Sequence, residues 1–258
     1  MNVRQLLDLK GRIALVTGGS RGLGLQIAEA LGEMGAKVAI TARKQDELEA
    51  AVKHLGGLGI DAGAWTCDLG KRETIAPMAD AVLSKYGKVE ILVNNAGAVW
   101  SAPAEDHPLE AWDKLVNVNL TGTFVLSQII GKRSMIPAKW GRIINVASIG
   151  GLMGQDTRIN RTIAYCATKG GVVNFTRALA AEWGQHAITV NAICPGFFPS
   201  KMTRTALETM GELARDWTPT KRLGNDEDLK GLAVLLASEA SRHITGQAIA
   251  VDGGASIV

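Results

Sequence analysis

The sequence predicts an α/β protein in which a parallel sheet of seven strands lies between two layers of helices. Short runs rich in Val, Ile and Ala alternate with longer segments of helical periodicity, and these runs are apolar almost throughout, as in strands buried on both faces. The chain also contains 30 glycines but only two tyrosines and four phenylalanines, which is typical of tight strand-to-helix turns and close helix–sheet packing. Its 258 residues, 47% of them hydrophobic, can bury one substantial core, so we expect a single domain over residues 1–258.

Seven runs fit the strand pattern. In chain order they are Arg12–Thr17, Lys37–Ala42, Asp61–Cys67, Val89–Asn94, Arg142–Ala147, Ile188–Ile193 and Gln247–Val251. Helix-length segments separate them, and no internal repeat, linker or low-complexity tract interrupts the alternation. The pattern therefore predicts helices on both faces of one parallel sheet.

The least regular region is residues 197–220, between the sixth strand and the last helical segment. Apolar residues with helical spacing occur within it, namely Leu207, Met210, Ala214 and Trp217. Prolines mark both limits of this stretch. Two interpretations are open: a mobile lid over a substrate site, or a permanently docked surface helix.

Composition favours a cytoplasmic protein without nucleic acid or membrane as partner. The formal net charge is only +3 and the basic residues are scattered along the chain. Three cysteines, at positions 67, 166 and 194, are too few and too unevenly spaced for a disulfide framework or a zinc site, and we expect no metal. The stretch Met1–Lys10 lacks an apolar core of the signal-peptide type, and no uncharged apolar run approaches the ~18 residues that a membrane-spanning helix requires.

A glycine-rich turn directly follows the first predicted strand. It reads Thr17-Gly18-Gly19-Ser20-Arg21-Gly22-Leu23-Gly24 and leads into a helical run from Leu25. Glycines permit a tight turn and a close approach of the backbone to a pyrophosphate, and a helix amino terminus presents unpaired N–H groups. Alone such a sequence is a bare turn, but between a strand and a helix it indicates a dinucleotide site.

The end of the second strand indicates which dinucleotide binds. NAD enzymes usually place an acid there that binds the ribose 2′-hydroxyl. Here the segment 38–44 contains no acid and ends in Arg43 and Lys44, and the first acid after it is Asp46. Arg43 and Arg21 are suited to bracket a 2′-phosphate. We therefore predict NADP(H) rather than NAD(H), the alternative being two surface arginines without a ligand.

Tyr165 and Lys169 lie four residues apart and share one face of a predicted helix. A free phenol titrates near pH ~10, so a tyrosine that exchanges protons near neutrality needs a nearby positive charge, which Lys169 supplies in this arrangement. The pair indicates redox chemistry on a carbonyl. Taken alone, the same spacing is common on ordinary solvated helices.

Together these motifs resemble those of the short-chain dehydrogenase/reductase family over nearly the whole chain. The shared elements are the glycine turn 17–24, Asp68, Asn94-Asn-Ala-Gly97, Asn119, Ser148, Tyr165-x-x-x-Lys169, Pro195-Gly196 and Val251-Asp-Gly-Gly254. The resemblance implies a Rossmann-like doubly wound sheet of seven parallel strands, a nicotinamide cofactor and, usually, a homotetramer.

The resemblance assigns four catalytic residues. Tyr165 is expected to act as general acid in ketone reduction and as base in alcohol oxidation, and Lys169 to bind the nicotinamide ribose and lower the pKa of the tyrosine. Ser148 is expected to hydrogen-bond the substrate oxygen, and Asn119 to hold a water that links Lys169 to solvent. Outside the family context, Ser148 would be a turn cap and Asn119 a hydrogen bonder that interrupts a helix.

Further residues are assigned to the cofactor by the same resemblance. Asp68 resembles the carboxylate that accepts from the adenine amino group, with Leu69 beside it. Ser200 stands where many relatives have a threonine that meets the carboxamide, and its hydroxyl is retained. The other expected contacts are Asn95, Ala96 and Gly97 on the adenosine side and Pro195, Gly196 and Phe198 near the nicotinamide.

One departure from the family concerns the substrate. Sixteen residues, 149–164, separate Ser148 from Tyr165, a few more than in many relatives, and they include Arg158 and Arg161. These arginines either recognise an anionic group on the substrate or are solvated or subunit contacts. Candidates for a partly apolar substrate pocket, or for core packing, are Trp100, Met153, Phe197, Phe198, Met202 and Trp217.

The predicted activity is hydride transfer between NADP(H) and a small-molecule carbonyl or secondary alcohol. A 3-oxoacyl compound is the first candidate substrate, and a sugar acid or polyol, as for a gluconate 5-dehydrogenase, is the alternative. A third hypothesis is a non-catalytic NADP-sensing module, which we expect to lack one of the four catalytic residues. All four are present in this chain.

Overall fold

Seven parallel strands form one sheet in the computed structural model, which describes residues 1–158, 161–200 and 204–258. The strands are β1 Ile13–Thr17, β2 Lys37–Ala42, β3 Ala62–Thr66, β4 Ile91–Asn94, β5 Gly141–Val146, β6 Ile188–Pro195 and β7 Ala248–Val251. Their spatial order is β3-β2-β1-β4-β5-β6-β7, and every neighbouring pair is parallel. All seven predicted strands are present, with ends that differ from the prediction by at most two residues, so the predicted Rossmann-like doubly wound fold is confirmed.

Helices cover both faces of the sheet. They are α1 Val3–Leu7, α2 Gly22–Glu33, α3 Gln45–Gly57, α4 Arg72–Tyr86, α5 Leu109–Leu115, α6 Gly122–Ile130, α7 Ile136–Ala138, α8 Ile163–Trp183, α9 Arg204–Trp217 and α10 Lys230–Ala237. Buried residues of α2, α3 and α10 pack in one cluster and those of α4, α6 and α8 in another. Among the described residues these are the two larger hydrophobic clusters of a three-layer structure, and a third, smaller one includes Val172 and Val173 of α8.

The alternation of side chains along each strand supplies both larger clusters. Ala14 and Val16 of β1 contact the α2 side, whereas Ile13 and Leu15 contact the α4 side. All four are buried, as expected for a central parallel strand whose successive side chains point to opposite faces. Each fully buried Leu or Ile side chain stabilises the fold by about 1.5–3 kcal/mol relative to exposure.

The expectation that every strand is buried on both faces is wrong for the sheet edges. β3 and β7 consist of half-buried or exposed residues, while β1, β4, β5 and β6 are buried throughout. Each edge strand has one hydrogen-bonded neighbour, β2 or β6, so less of its surface is covered. Trp65 of β3 packs edge-on against Tyr86, with 5.8 Å between ring centroids, and so partly covers one edge.

Helices α5, α6 and α7 are joined by two turns of π-helix. Val116–Thr121 connects α5 to α6, and Gly131–Met135 connects α6 to α7. The bounding residues keep right-handed helical dihedral angles, so the rod is continuous through both π turns. π turns of this kind often occur at functional sites.

Part of the region predicted as a lid or a docked helix lies within the described residues. Its α9 begins at Arg204, and the carboxyl-terminal end of α9 is docked: Ala214 is fully buried and the indole of Trp217 donates to the Ala255 carbonyl at 3.0 Å. Residues 201–203 lie outside the described residues. Movement of the segment as a lid stays a prediction.

The strand order fixes where a ligand can bind. Successive connections run outward in opposite directions from the adjacent strands β1 and β4, and this reversal leaves a crevice beyond the carboxyl ends of the strands. The strands β1, β4, β5 and β6 all end beside this crevice, at Thr17, Asn94, Val146 and Pro195. The segments that follow them therefore meet in one place.

A stack of Trp140 and two arginines lies at the amino ends of β1 and β5, opposite the crevice. The indole of Trp140 lies between two guanidinium groups, with Arg12 Cζ 3.8 Å and Arg142 Cζ 4.3 Å from the ring centroid. Its Nε1 donates to Glu239 at 2.6 Å, and Arg12 donates to Glu90 at 2.6 Å. Burial lowers the pKa of the Arg142 guanidinium, and the charge of Glu239 counteracts that effect.

We predict that Trp140→Ala destabilises the protein by about 2–3 kcal/mol, because it removes aromatic packing and two cation–π contacts around a buried arginine. The measurement is the free energy of unfolding from urea denaturation. Trp100→Ala, which truncates an indole that is 45% exposed, is the matched control and is expected to change stability by about 0.5 kcal/mol or less. Equal losses in the two variants would contradict a special contribution from the stack.

Candidate active site

A cavity of about 590 Å³ lies beyond the carboxyl ends of the strands. Every residue that the sequence assigned to the cofactor or to catalysis lines it except Asn119: Gly18, Ser20, Arg21, Gly22, Leu23, Gly24, Arg43, Asp68, Leu69, Asn95, Ala96, Gly97, Ser148, Tyr165, Lys169, Pro195, Gly196, Phe198 and Ser200. These residues come from seven separate stretches of chain between positions 18 and 200, and the parallel sheet brings them together.

The glycine turn between β1 and α2 requires glycine for two reasons. Gly18 and Gly22 have φ angles of 62° and 53°, a region that disfavours residues with a Cβ. A Cβ on Gly24 would lie 2.3 Å from both Asn95 Nδ2 and the Gly18 carbonyl oxygen. The backbone at the start of α2 is therefore open to the cavity and tightly packed behind it.

Asn95 braces this turn from behind. Its Nδ2 donates to the carbonyl oxygens of Thr17 at 2.9 Å and Gly18 at 3.2 Å. In return, the Thr17 hydroxyl accepts from the backbone N–H groups of Asn95 and Ala96, each at 3.0 Å. The sequence predicted Asn95 as part of the adenosine-side wall. In the structure its side chain holds the ends of β1 and β4 together as well as lining the cavity.

Arg21 and Arg43 lie at the same end of the cavity, together with Lys44. The sequence analysis missed Glu47, which lines this end too and whose Oε1 lies 2.7 Å from Arg21 Nη1 and 3.6 Å from Lys44 Nζ. No acid closes β2 itself, but the first turn of α3 brings one back to the basic residues. The acid at position 47 is visible in the sequence, but its contact with Arg21 depends on how α3 turns back.

Asp68 and Leu69 follow β3 and form another part of the wall. Asp68 Oδ1 accepts from the Gly70 N–H at 3.0 Å, which shapes a turn, and the Leu69 side chain is buried. Lys114 and Val118 also line the cavity, and neither was among the predicted contacts.

The wall after β6 is rigidly packed. A Cβ on Gly196 would lie 2.7 Å from the Asp252 Cβ, and one on Gly224 would lie 2.4 Å from Phe198 Cε1. Phe198 is 4% exposed, so it is both a core residue and part of the cavity lining. Ser200 lines the cavity near Gly22, where a Cβ would lie 3.9 Å from the serine Cβ.

Lys169 is a buried ammonium group in α8, 4% exposed. Its Nζ donates to the Val146 carbonyl at 2.7 Å and lies 5.6 Å from the centroid of the Tyr165 ring. A Cβ on Gly97 would lie 3.6 Å from the same Nζ. Burial lowers the pKa of Lys169 to about 8, so its charge is lost just above neutrality.

Tyr165 and Ser148 both line the cavity, and a hydrogen bond joins their side chains. Burial raises the pKa of Tyr165 to about 12, and a hydrogen bond with the Ser148 side chain partly opposes that effect. The sequence predicted instead that Lys169 lowers this pKa. Burial of the phenol is the largest influence on this pKa, and Tyr165 is therefore protonated at neutral pH.

Ser148 caps the turn that follows β5 while remaining in the cavity. Its Oγ accepts from the Gly150 N–H at 3.1 Å and takes part in the hydrogen bond with Tyr165. The two roles that the sequence suggested for Ser148, turn cap and substrate hydrogen bonder, are therefore compatible. An oxygen that accepts from one N–H retains its own proton for another partner.

Asn119 lies behind the cavity wall, 1% exposed, within the π turn after α5. Its amide exchanges two hydrogen bonds with the Ala98 backbone, accepting at 2.8 Å and donating at 3.0 Å, and donates to Thr168 Oγ1 at 3.0 Å. A Cβ on Gly97 would lie 3.4 Å from Asn119 Oδ1. The side chain thus ties the loop after β4 to α8, and its predicted contact with a water stays a prediction.

A second cavity, of only about 20 Å³, lies beside the segment that follows Ser148. Its lining residues are Ile149, Met153, Gln155, Asp156, Phe197, Trp217 and Ala255. Met153, Phe197 and Trp217, which the sequence offered for a substrate pocket or for core packing, line this cavity. The indole of Trp100 is 45% exposed and lies outside the lining of both cavities. Met202 is outside the described residues.

Arg158 is held by a neighbouring carboxylate. Its Nε and Nη2 donate to Asp156 Oδ2 at 2.9 and 2.5 Å, and its backbone N–H donates to Asp156 Oδ1 at 2.7 Å. The Arg158 hydrogen bonds lower the pKa of Asp156. The charge of Arg158 is therefore already matched within the loop, which disfavours its predicted role as a receptor for an anionic substrate.

The doubly wound sheet, its glycine turn and the group of Ser148, Tyr165 and Lys169 together define a nicotinamide-dependent oxidoreductase. The short chain dehydrogenase family model matches residues 12–211. The chain belongs to this family, as the resemblance of its motifs indicated.

Relatives of known name carry several activities. The chain is 38% identical to a D-threitol dehydrogenase of Mycolicibacterium smegmatis, over 96% of this chain and 94% of that protein. It is 36% identical to a gluconate 5-dehydrogenase of Gluconobacter oxydans, covering 100% and 99%. It is 38% identical to a 3-oxoacyl-(acyl-carrier-protein) reductase of Pseudomonas aeruginosa, covering 96% and 98%.

Solved structures agree with this assignment. The gluconate 5-dehydrogenase of Burkholderia cenocepacia, solved in complex with NADP and tartrate, superposes with a TM-score of 0.93 at 31% identity, covering 100% of both chains. Among the described residues of the present protein, no helix is long and apolar enough to cross a membrane.

We predict that Gly24→Ala raises the dissociation constant for the nicotinamide cofactor at least about tenfold, because the added methyl group displaces the Gly18 carbonyl and the Asn95 amide. The measurement is a nicotinamide fluorescence titration. Gly56→Ala in α3, where a Cβ meets nothing within 4 Å, is the control and should bind as the wild type does. Unchanged affinity in Gly24→Ala would mean that the turn has no part in binding.

Proposed function

We propose that this enzyme transfers a hydride between NADP(H) and a carbonyl or secondary alcohol, and that its main activity is reduction of 3-oxoacyl compounds. The observation that carries the proposal is the convergence of a protonated phenol, a buried ammonium and a serine hydroxyl on one cavity. A non-catalytic NADP-sensing module is disfavoured, since none of the four residues that the chemistry requires has been lost.

The lining of the cavity fits a dinucleotide. The start of α2 presents backbone N–H groups beside glycines that permit close approach of a pyrophosphate. At the far end, Arg21, Arg43 and Lys44 supply the positive charge that a ribose 2′-phosphate requires. The NADP bound by the Burkholderia relative supports the same preference here.

When bound, the nicotinamide supplies or accepts the hydride. In reduction, Tyr165 donates its phenolic proton to the carbonyl oxygen as negative charge develops there, and Ser148 donates a hydrogen bond to the same oxygen. Lys169 favours loss of that proton by its charge. Asn119 holds the loop of Ala98 and the helix of Thr168 in place around the ammonium.

The second cavity, of about 20 Å³, would have to widen to admit a substrate, but its lining carries features that suit two substrate classes. Ile149, Met153, Phe197 and Trp217 offer an apolar surface suited to an acyl chain. Gln155 and Asp156 in the same lining favour the second candidate, a polyol whose hydroxyls hydrogen-bond to them. Assembly into a homotetramer stays a prediction from the family.

The test is a panel of 3-oxoacyl thioesters, polyols and sugar acids, assayed through nicotinamide absorbance in both directions with both cofactors. We expect the highest kcat/KM for a 3-oxoacyl thioester with NADPH, and a lower dissociation constant for NADPH than for NADH. Tyr165→Phe should lower kcat/KM by about 10²–10⁴-fold without weakening cofactor binding.

The control for this variant is Tyr86→Phe, which alters the other of the two tyrosines in the chain far from the cavity and should leave turnover unchanged. Full activity of Tyr165→Phe would remove the phenol from its proposed part in catalysis. If the enzyme turned over polyols but no 3-oxoacyl thioester, the proposed substrate would be wrong and the second candidate would take its place.

We predict that kcat/KM for ketone reduction falls as pH rises through about 8, the pKa to which burial lowers Lys169. The ammonium is needed in its protonated form, so activity is retained below that pH and lost above it. The measurement is the pH–rate profile between about pH 6 and 10. Lys169→Met should be weakly active without this descending limb, and a wild-type profile that is flat to pH 10 would contradict the assignment.

A further inference from the structure

A carboxylate stands among the basic residues at the ribose end of the cavity. Glu47, in the first turn of α3, lines the cavity together with Arg21, Arg43 and Lys44. Its Oε1 lies 2.7 Å from Arg21 Nη1 and 3.6 Å from Lys44 Nζ. The Glu47 side chain is 22% exposed, compared with 47% for Arg21 and 61% for Lys44, so the acid is the least solvated member of the group.

The position of Glu47 follows from the backbone. β2 ends at Ala42, and α3 begins at Gln45 after only two residues. The first helical turn therefore returns towards the glycine turn and carries the carboxylate to Arg21, 26 residues earlier in the chain. A salt bridge at this place joins the start of α3 to the amino-terminal cap of α2.

This carboxylate affects the two cofactors differently. A 2′-phosphate is a dianion that must draw Arg21 away from Glu47 and must also remain close to a like charge. A 2′-hydroxyl is neutral and can donate a hydrogen bond to a carboxylate, and in NAD-dependent proteins of this fold an acid at this end accepts that bond. Glu47 therefore weakens binding of the phosphorylated cofactor and leaves the other unharmed.

We propose that Glu47 sets cofactor choice by holding Arg21, so that the preference for NADP(H) is kept moderate and NAD(H) remains an accepted cofactor. This rests on the proposed binding of NADP(H) at the cavity. Glu47 is then a specificity-determining residue of the ribose end, distinct from the residues that carry the chemistry.

The test compares wild type with Glu47→Gln in direct binding measurements, by calorimetry or nicotinamide fluorescence, with NADPH and NADH. The variant should bind NADPH about fivefold more tightly, the scale of one partly exposed ion pair, and change its affinity for NADH less than about twofold. The gain should shrink in high salt because both charges are partly exposed.

Fragments isolate the phosphate itself. Adenosine 2′,5′-bisphosphate should gain affinity in Glu47→Gln to the same extent as NADPH, and adenosine 5′-monophosphate should not. Glu49→Gln is the matched control: it makes the same charge change two residues along α3, where the side chain is exposed and accepts from Gln45 at 2.9 Å.

The outcomes separate the two proposals. An unchanged ratio of NADPH to NADH affinity in Glu47→Gln, a weaker NADPH affinity, or an equal shift in Glu49→Gln would overturn the role of Glu47, whichever cofactor the wild type prefers. A wild type that prefers NADH, with a Glu47→Gln variant shifted towards NADPH, would overturn the proposed cofactor preference and retain the role of Glu47.

Discussion

The active end of this molecule depends on keeping one ammonium group inside the protein. Taking a charge out of water costs free energy unless polar groups receive it. Lys169 meets this requirement through the Val146 carbonyl at the end of β5, and the lowered pKa shows that burial is only partly compensated. Such a group is held in place by α8, β5 and the loop after β4, so these three elements must keep their relative positions for the site to exist.

A buried polar network maintains those positions. Asn94 Nδ2 donates to Asn145 Oδ1 at 2.9 Å and to Ser127 Oγ at 3.0 Å, and Asn145 Nδ2 donates to Thr176 Oγ1 at 2.9 Å. These bonds link the ends of β4 and β5 to α6 and α8 beneath the cavity. Because directional bonds in a low-dielectric interior tolerate little displacement, the network fixes the register of the strands that present the catalytic side chains.

The sequence was sufficient for the architecture and for most of the cavity lining because both follow from local patterns. Apolar runs predict parallel strands, and Gly18 and Gly24 stand where a turn and a close approach demand them. Long-range effects were not predictable. The contact between Glu47 and Arg21 depends on how α3 folds back. The hydrogen bonds that Asn95 exchanges with β1 depend on the pairing of strands that are distant in the chain. The raised pKa of Tyr165 depends on burial of its side chain.

The π turn at Val116–Thr121 limits how this fold can be shortened. A π turn accommodates one residue more than an α-helix does over the same rise. Deleting one residue there would restore ordinary α-helical hydrogen bonding, yet it would rotate Asn119 by about 100° relative to the following helix and separate its amide from Ala98. A chain shortened there to give a regular helix would thus lose the support that Asn119 gives to the loop after β4.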